Sequence, residues 1–503
     1  MSPTRPSPPS HSAPPAPPSH PSHPTRGAAR LASVALSALA LLGRPDVRPA
    51  AAYEPSTTLA GLTEQAALAS RLHRRLVDRF GASMGLFEPL RLDLSQLPPV
   101  LARSLHARLS GLDPAAGYAP DSLSRQPGQS LPSMRVHALG WLAAGSVIEG
   151  TPAWRARHHF FEPASGRGLH RPGDVSPVNA SLESVRTGMS SVRQLLAGAA
   201  VDGTGLPAPE WLESADNELG QGALLAAYEL AVSAETTLAR EGALARVLLS
   251  AGAMAAVLAQ QGDPAYVRND LAGALEGSYA RYAAERYGRA GVPAPAAEAV
   301  LVPPSPTRLR DLFSDGAGRG LAERTVARFY SPGTLPEIES KLAQIPAGRS
   351  GGYLAAPPIK HALAWARQGE LPHLFLDDRC HADYASVLLP ETARFVQVLL
   401  DFLLRAELRL APTAGGKELQ VRVAEVQLGS GTLSLFAEGA DGRRRLVRTT
   451  QVLPTRPGAT LATLSIDELG DKEVQRLIVL YRGRDLSNEP LIASAELSLA
   501  RSE

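Results

Sequence analysis

The clearest pattern of apolar and polar positions runs from Leu244 to Asp270. Its apolar residues recur at the i, i+3, i+4, i+7 spacing of one helical face, and the other positions are mostly Ala, Gly and Ser. The face consists of Leu244, Val247, Leu248, Ala251, Met254, Ala255 and Leu258. A helix that is small and apolar on nearly every side packs at the centre of a bundle. Because a residue before proline is driven out of the α conformation, the helix is predicted to end before Pro264.

The same spacing predicts further helices on both sides of this one. They cover residues 63–76, 135–150, 181–200, 211–239, 321–331 and 388–405. In the last of them Pro390 fits the first turn, where a missing N–H is tolerated. Residues 82–134 and 331–358 are weakly patterned and predict short helices and loops. His137 is expected to pack on a helical face with Trp141, and His158 and His170 are expected at the surface.

From Glu418 onward the pattern changes to the alternation of half-buried strands. Strands are predicted over 419–428, 432–438, 445–453, 459–465, 475–482 and 491–499. Gly429-Ser-Gly431 and Asp441-Gly442 are predicted turns between them. Short strands separated by turns favour a β-sandwich of the immunoglobulin-like kind. The predicted fold is therefore mainly α, a helical bundle over 53–410 followed by a small β-sandwich over 411–503.

The N-terminal segment predicts export. Residues 1–25 are rich in Pro, Ser and His and too poor in apolar residues to fold, so they are predicted to be disordered. Residues 26–52 combine a basic flank, the apolar run Leu31–Leu42 and small residues, as a signal peptide does. A short buried helix or a signal anchor is the alternative. With the signal removed, the mature chain would begin near Tyr53, have no transmembrane span, and lie in the periplasm, the outer envelope or outside the cell.

Composition narrows the class of function further. A net charge of +2 disfavours a dedicated nucleic-acid binder, which would carry a clear basic excess. Nearly all basic residues are arginine, which fits a compositional bias, so clusters of arginine carry little weight. Cys380 is the only cysteine and allows no intrachain disulfide.

Two motifs occur in the order found in a known superfamily. The first runs from Gly145 to Glu149 and continues in His159-Phe-Phe-Glu-Pro163, and the second is Asp263-Pro-Ala265 with Arg268-Asn-Asp270. Together they resemble the zinc-dependent phospholipases C and single-strand nucleases. The resemblance covers roughly residues 53–405 and implies a helical bundle. In active relatives a metal cluster activates water and holds a phosphodiester.

Most metal-ligand positions of that superfamily hold residues that bind zinc poorly. The resemblance places them at Leu59, Gly150, Ala256, Gln260 and Tyr266. A further His–Glu pair has no counterpart in 275–285, which contains Glu276 and Glu285 but no histidine. His159 is kept, and Glu149 stands beside the position of a missing ligand. These two residues are the candidate remnant of a metal site. Zinc normally needs three or four protein ligands, so no cofactor is expected. If the remnant site still binds a metal, the metal is expected to be zinc.

Three functions remain open at this point. The first is an exported, catalytically degenerate member of the superfamily that acts by binding or as a scaffold, with a lipid or another envelope component as a partner. The second is an active phosphodiester hydrolase with a reduced metal site around His159 and Glu149, joined by the 373–383 cluster. The ligand-type residues in and beside that cluster are His361, His373, Asp377, Asp378, His381 and Asp383. The third is a structural protein of the cell envelope.

Overall fold

The computed structural model describes most of the chain after residue 52 and leaves several segments undescribed. It covers residues 53–109, 119–120, 133–170, 204–288, 305–369, 371–413, 418–465 and 474–499. The predicted disordered segment 1–25, the predicted signal peptide 26–52 and the predicted helix 181–200 lie outside the described residues.

Helices are the main regular elements among the described residues before residue 404. The α-helices are α1 (Ala60–Ala69), α2 (Leu72–Phe80), α3 (Pro99–Leu109), α4 (Ala138–Ile148), α5 (Ala208–Glu213), α6 (Gln221–Ser233), α7 (Thr237–Ala259), α8 (Pro264–Val267), α9 (Leu271–Glu276), α10 (Ser278–Tyr287), α11 (Leu321–Arg328) and α12 (Asp378–Leu403). Nearly all their inward apolar side chains belong to one large core. This region therefore has the helical character that the sequence predicts.

Helix α7 is the central helix of this core. It begins before the predicted start because the Thr236 side chain caps it, accepting a hydrogen bond from the Ala239 N–H at 3.3 Å. It ends at Ala259 and continues as one 3₁₀ turn over Gln260–Gly262, before Pro264 as predicted. In the described part of the chain, the stretch Thr237–Gly262 alone is long and apolar enough to cross a membrane by composition, and 94% of its most apolar window is buried within the fold.

Helices α4 and α7 pack backbone to backbone. A Cβ atom at Gly145 would meet the carbonyl oxygen of Leu249, and one at Gly252 would meet the carbonyl oxygen of Leu142. Only glycine fits at these two crossing points, because any side chain would push the helices apart. The close contact fixes the end of α4, and with it the position of Glu149.

Several predicted helices have different bounds in the structure. The helix predicted over 63–76 is two helices, α1 and α2, separated at Ser70 and Arg71. The helix predicted from 135 starts only at Ala138, because the preceding residues pair as a strand. His137 ends that strand and is exposed, so its predicted packing on a helical face is wrong. Pro390 lies in the middle of α12, where the buried apolar stripe continues on both sides of it.

Two small antiparallel sheets interrupt the helical region. The first contains β1 (Pro89–Asp93), β2 (Ala119–Pro120) and β3 (Ser133–His137) in the order β1-β3-β2. The second contains β4 (Gly351–Ala356), β5 (Ile359–Gln368) and β6 (Leu371–Phe375) in the order β4-β5-β6. The second sheet corrects the prediction of loops up to residue 358. Its small core includes Leu354, Leu363 and Trp365, too few apolar residues to give a clear alternation in the sequence.

The C-terminal part is built of β-strands, as predicted. They are β7 (Leu408–Pro412), β8 (Glu418–Val423), β9 (Leu428–Gly439), β10 (Arg444–Val452), β11 (Thr460–Ser465), β12 (Val474–Asp485) and β13 (Pro490–Ser498). They form two sheets, β10-β9-β12-β13 and β11-β8-β7, which share an apolar core. The immunoglobulin-like class of this arrangement stays a prediction.

The predicted turn at Gly429-Ser-Gly431 is wrong, because both glycines lie inside β9. A Cβ atom at Gly429 would stand 2.6 Å from the carbonyl oxygen of Arg484, and one at Gly431 would stand 2.5 Å from that of Arg482. These glycines therefore allow close strand approach instead of a turn. The Asp441-Gly442 turn occurs as predicted, between β9 and β10.

The larger C-terminal sheet packs its outer face on the helices. Phe436, Ile478, Leu480 and Ile492 belong to the helical core rather than to the core between the two sheets. Buried Glu438 adds a charged contact, with arginines 240, 444 and 476 each within 3.3 Å of its carboxylate. The helical and strand regions are thus joined by a continuous apolar and ionic interface.

Candidate functional site

The structure brings the two predicted remnant ligands together. Glu149 follows the last turn of α4, and His159 ends the 3₁₀ turn Ala153–His159. The His159 Nε2 and Glu149 Oε1 atoms are 3.5 Å apart. Both residues are fully buried, with 0% and 1% of their surface exposed.

Arg155 occupies the other side of the Glu149 carboxylate. Its Nη2 donates to Glu149 Oε2 at 2.8 Å and to Asn217 Oδ1 at 2.7 Å, and its Nε donates to the Glu149 carbonyl at 3.0 Å. Its Nη1 reaches Glu218 at 2.7 Å. Trp211 Nε1 donates to the remaining oxygen, Glu149 Oε1, at 2.9 Å. Both carboxylate oxygens therefore already accept charge-assisted or neutral hydrogen bonds.

This arrangement keeps Glu149 ionised. Burial opposes the charged form, but the Arg155 guanidinium, the adjacent His159 imidazole and the hydrogen bond from Trp211 outweigh it, and the pKa of Glu149 is lowered. The guanidinium is itself fully buried and lies 5.1 Å from the centre of the Trp211 ring. Glu149 and Arg155 thus form a buried, hydrogen-bonded ion pair, and removal of one charge would leave the other buried without its partner.

The His159 imidazole is held by packing. Neither of its ring nitrogens makes a hydrogen bond of ordinary geometry with the described residues. Its backbone carbonyl accepts a hydrogen bond from Gln261 Nε2 at 2.8 Å, which ties it to the turn after α7. Unlike the paired Glu149 carboxylate, the imidazole has hydrogen-bonding capacity left for a ligand.

His158 is buried, which corrects its predicted surface position. Its ring stacks on Trp211 with 4.3 Å between centroids, and its Nδ1 accepts the Leu206 N–H at 2.8 Å. Burial, followed by the nearby charges of Arg157 and other groups, lowers the pKa of His158 to about 4. His158 is therefore a neutral packing residue at physiological pH.

The other positions that the resemblance assigned to ligands are filled by packing. Leu59, Ala256, Gln260 and Tyr266 are each at most 2% exposed. The Tyr266 ring stacks on Phe160 with 4.4 Å between centroids. Gly150 differs, because a Cβ atom there would meet nothing within 4 Å. In the parts of the chain that the structure describes, no group of three or more His, Cys, Asp or Glu side chains is placed to hold a metal ion.

The donor set around Glu149 does not fit zinc. A tetrahedral zinc site needs three or four protein ligands. Here one carboxylate is already neutralised by a guanidinium, and one imidazole stands beside it. A metal ion at Glu149 Oε2 would have to displace Arg155 and leave that guanidinium buried without its partner.

The residues between 361 and 383 do not form one site in the structure. His361 Nδ1 lies 3.1 Å from Asp383 Oδ2, whereas Asp377 caps α12 through the N–H groups of Arg379 and Cys380. His373 stacks on Phe375 in strand β6. Burial raises the pKa of the Cys380 thiol to about 12, which removes it as a nucleophile.

A second buried polar group was not predicted as a site. Asp263 is 4% exposed, and it lines a small cavity together with Tyr279 and His381. Burial raises the pKa of Asp263 to about 7, with a further contribution from Asp270 that a hydrogen bond from Ala265 opposes. In the sequence Asp263 precedes a proline at a helix start, as a capping residue does, and it also has that role in the structure.

The chain has little similarity to known proteins in sequence or in structure. No protein-family model matches the chain, and no curated protein matches it. Among solved structures, the alpha toxin from Clostridium absonum is 11% identical with a TM-score of 0.26, over 89% of this chain and 96% of the toxin. The alpha-toxin of an avian strain of Clostridium perfringens is 10% identical with a TM-score of 0.25, over 89% and 99%.

Proposed function

We propose that this chain is an exported, catalytically silent relative of the zinc-dependent phospholipases C, whose helical part acts as a scaffold or a binding surface. The supporting observation is the Arg155 guanidinium, whose Nη2 lies 2.8 Å from Glu149 Oε2. A guanidinium and a metal ion are alternative counter-charges for one buried carboxylate. In this chain the counter-charge is the Arg155 guanidinium, which is part of the chain and cannot dissociate as a metal ion can.

The residues at the other positions that the resemblance assigned to metal ligands support the same interpretation. Leu59, Ala256 and Tyr266 fill their positions with buried apolar surface, and such surface stabilises a core where a metal would otherwise be needed. Export would place the partner in the cell envelope, as a lipid or another envelope component.

The test is metal content together with phosphodiesterase activity. The purified chain is equilibrated with zinc, passed through a desalting column and analysed by elemental mass spectrometry, and its hydrolysis of bis(p-nitrophenyl) phosphate is followed. We expect no stoichiometric zinc and no hydrolysis above that of the buffer. Tightly held zinc that disappears in His159→Ala would overturn the proposal. His137→Ala, at an exposed histidine, is the matched control.

The imidazole of His159 supports a second candidate, an active hydrolase with a reduced site. Its ring nitrogens lack ordinary hydrogen bonds to the described residues, and the space beside Gly150 is open. This candidate predicts hydrolysis in the wild type that His159→Ala abolishes and His137→Ala leaves intact. The third function, a structural protein of the envelope, predicts neither zinc binding nor a soluble ligand, and a tight complex with a lipid or a soluble envelope component would count against it.

A further inference from the structure

The corner that follows α7 encloses a small cavity. Asp263 caps α8 through its Oδ1, which accepts the Ala265 N–H at 2.9 Å, and the same side chain lines a cavity of about 10 Å³. Tyr279 of α10 and Tyr384 of α12 also line it. A space of this size has room for one water molecule.

Tyr279, one of the side chains that line the cavity, has a buried hydroxyl that interacts with the Tyr53 hydroxyl. Tyr279 is 6% exposed, and its hydroxyl makes no hydrogen bond of ordinary geometry with the described residues. The nearest phenol is Tyr53, whose ring centroid lies 5.8 Å away and whose own hydroxyl donates to the Gly262 carbonyl at 3.0 Å. Buried hydroxyl groups are nearly always hydrogen-bonded, to protein or to ordered water.

We propose that the cavity binds one water molecule that bridges the Tyr279 hydroxyl and the Asp263 carboxyl, and that this water accommodates both protonation states of Asp263. A neutral carboxyl donates a hydrogen bond to the water, and an ionised carboxyl accepts a hydrogen bond from it. A water molecule can reverse its hydrogen bonds in this way, whereas a fixed side-chain donor serves only one state. The inference does not rest on the proposed function.

The charges that face Asp263 favour a bridging water over direct pairing. None of the described residues lining the cavity is lysine or arginine. The titratable groups that line it or act on Asp263 are Tyr53, Asp270, Tyr279, Tyr330, His381 and Tyr384. Asp270 is already satisfied, since its carboxylate caps α9 through Gly273 N–H at 2.8 Å and accepts Gly333 N–H at 2.7 Å. The raised pKa of Asp263, to about 7, agrees with a carboxyl that has no cationic neighbour among these residues.

The site is tested by crystal structures of the full chain at pH 5 and pH 8.5, for the wild type and for Tyr279→Phe. We expect one water peak in the wild type at both pH values, within about 2.7–3.2 Å of the Tyr279 oxygen and of an Asp263 oxygen. It should be absent in Tyr279→Phe, which removes a single atom and keeps the ring packing. An empty cavity in the wild type, or a direct Tyr279–Asp263 hydrogen bond, would overturn the proposal.

Thermal melts distinguish the water from a bound cation and remain informative if Tyr279→Phe does not fold. Wild type and Asp263→Asn are melted at pH 8.5 in sodium, potassium, calcium and zinc chlorides at constant ionic strength. We expect the difference between their melting temperatures to be the same in every salt. A cation that raises the melting temperature of the wild type but not of Asp263→Asn would replace the water in this site and refute the inference.

Discussion

Replacement of Asp263 by asparagine should make the protein more stable at alkaline pH. The asparagine side chain would keep the capping acceptor for the Ala265 N–H and the shape of the aspartate, but it would carry no charge. The wild-type carboxyl is 4% exposed, and burial raises its pKa from 3.8 to about 7. The difference of about 3 pKa units corresponds to roughly 4 kcal/mol at 1.36 kcal/mol per unit.

The sign follows from proton binding. Between pH 4 and pH 7 the folded wild type holds the Asp263 proton while the unfolded chain has released it, so folding stability falls as pH rises through this window. Above pH 7 the folded protein has also released the Asp263 proton, and folding stability falls no further on its account. Asparagine does not titrate. The other titratable groups contribute equally to the pH dependence of both proteins, so their contributions cancel in the difference. The stability advantage of Asp263→Asn should therefore grow by about 3 kcal/mol between pH 4.5 and pH 8.5.

The assay is urea denaturation followed by circular dichroism at both pH values. Asp216→Asn, at an exposed aspartate, is the matched control and should give the same difference from the wild type at both. An advantage of Asp263→Asn that does not change with pH would refute the reasoning. A mutant that is less stable than the wild type at pH 8.5 would show that the folded protein favours the ionised carboxylate.

Three further predictions concern the remnant site, the helix crossing and the cysteine. Arg155→Met should destabilise the fold by about 3–5 kcal/mol in urea denaturation, because Glu149 is left buried and unpaired. Arg155→Met combined with Glu149→Gln should recover much of this stability. A single mutant as stable as the wild type would contradict the buried ion pair. Gly252→Ala should lower the melting temperature sharply through its clash with a carbonyl of α4, whereas Gly222→Ala, where a Cβ meets nothing within 4 Å, should change it little; equal effects would refute the close crossing. Cys380 should react with a thiol reagent at pH 8 only as fast as the protein unfolds, and rapid labelling of the native chain would show that the thiol is accessible.

The strongest sequence patterns correspond to real elements of the fold. The apolar face between Leu244 and Leu258 lies in the buried helix α7, and the alternation after Glu418 corresponds to the C-terminal strands. These elements are long, and their periodicity repeats often enough to be distinguished from chance. Strands β4 to β6 were missed because their apolar core is small and glycine and proline interrupt it.

The site was predictable in its location and not in its chemistry. The order of the motifs related Glu149 to His159, and the structure places their side chains 3.5 Å apart. Arg155, only six residues after Glu149, carries no distinct sequence signal, because arginine is abundant throughout the chain. Its role depends on tertiary contacts with Asn217 and Trp211, which lie more than fifty residues away in sequence. The burial of Asp263 could not be predicted from the sequence either, because a helix-capping aspartate has the same neighbouring residues whether it is buried or exposed.

The outer face of the larger C-terminal sheet has a mechanical consequence. Phe436 and Ile492 are shared with the helical core, and buried Glu438 is contacted by arginines from both regions. A chain cut after α12 would expose this face to water, so neither half should be recoverable as a soluble fragment. A force applied to the strands would therefore be passed to the helices through this buried contact, and the two regions should unfold together.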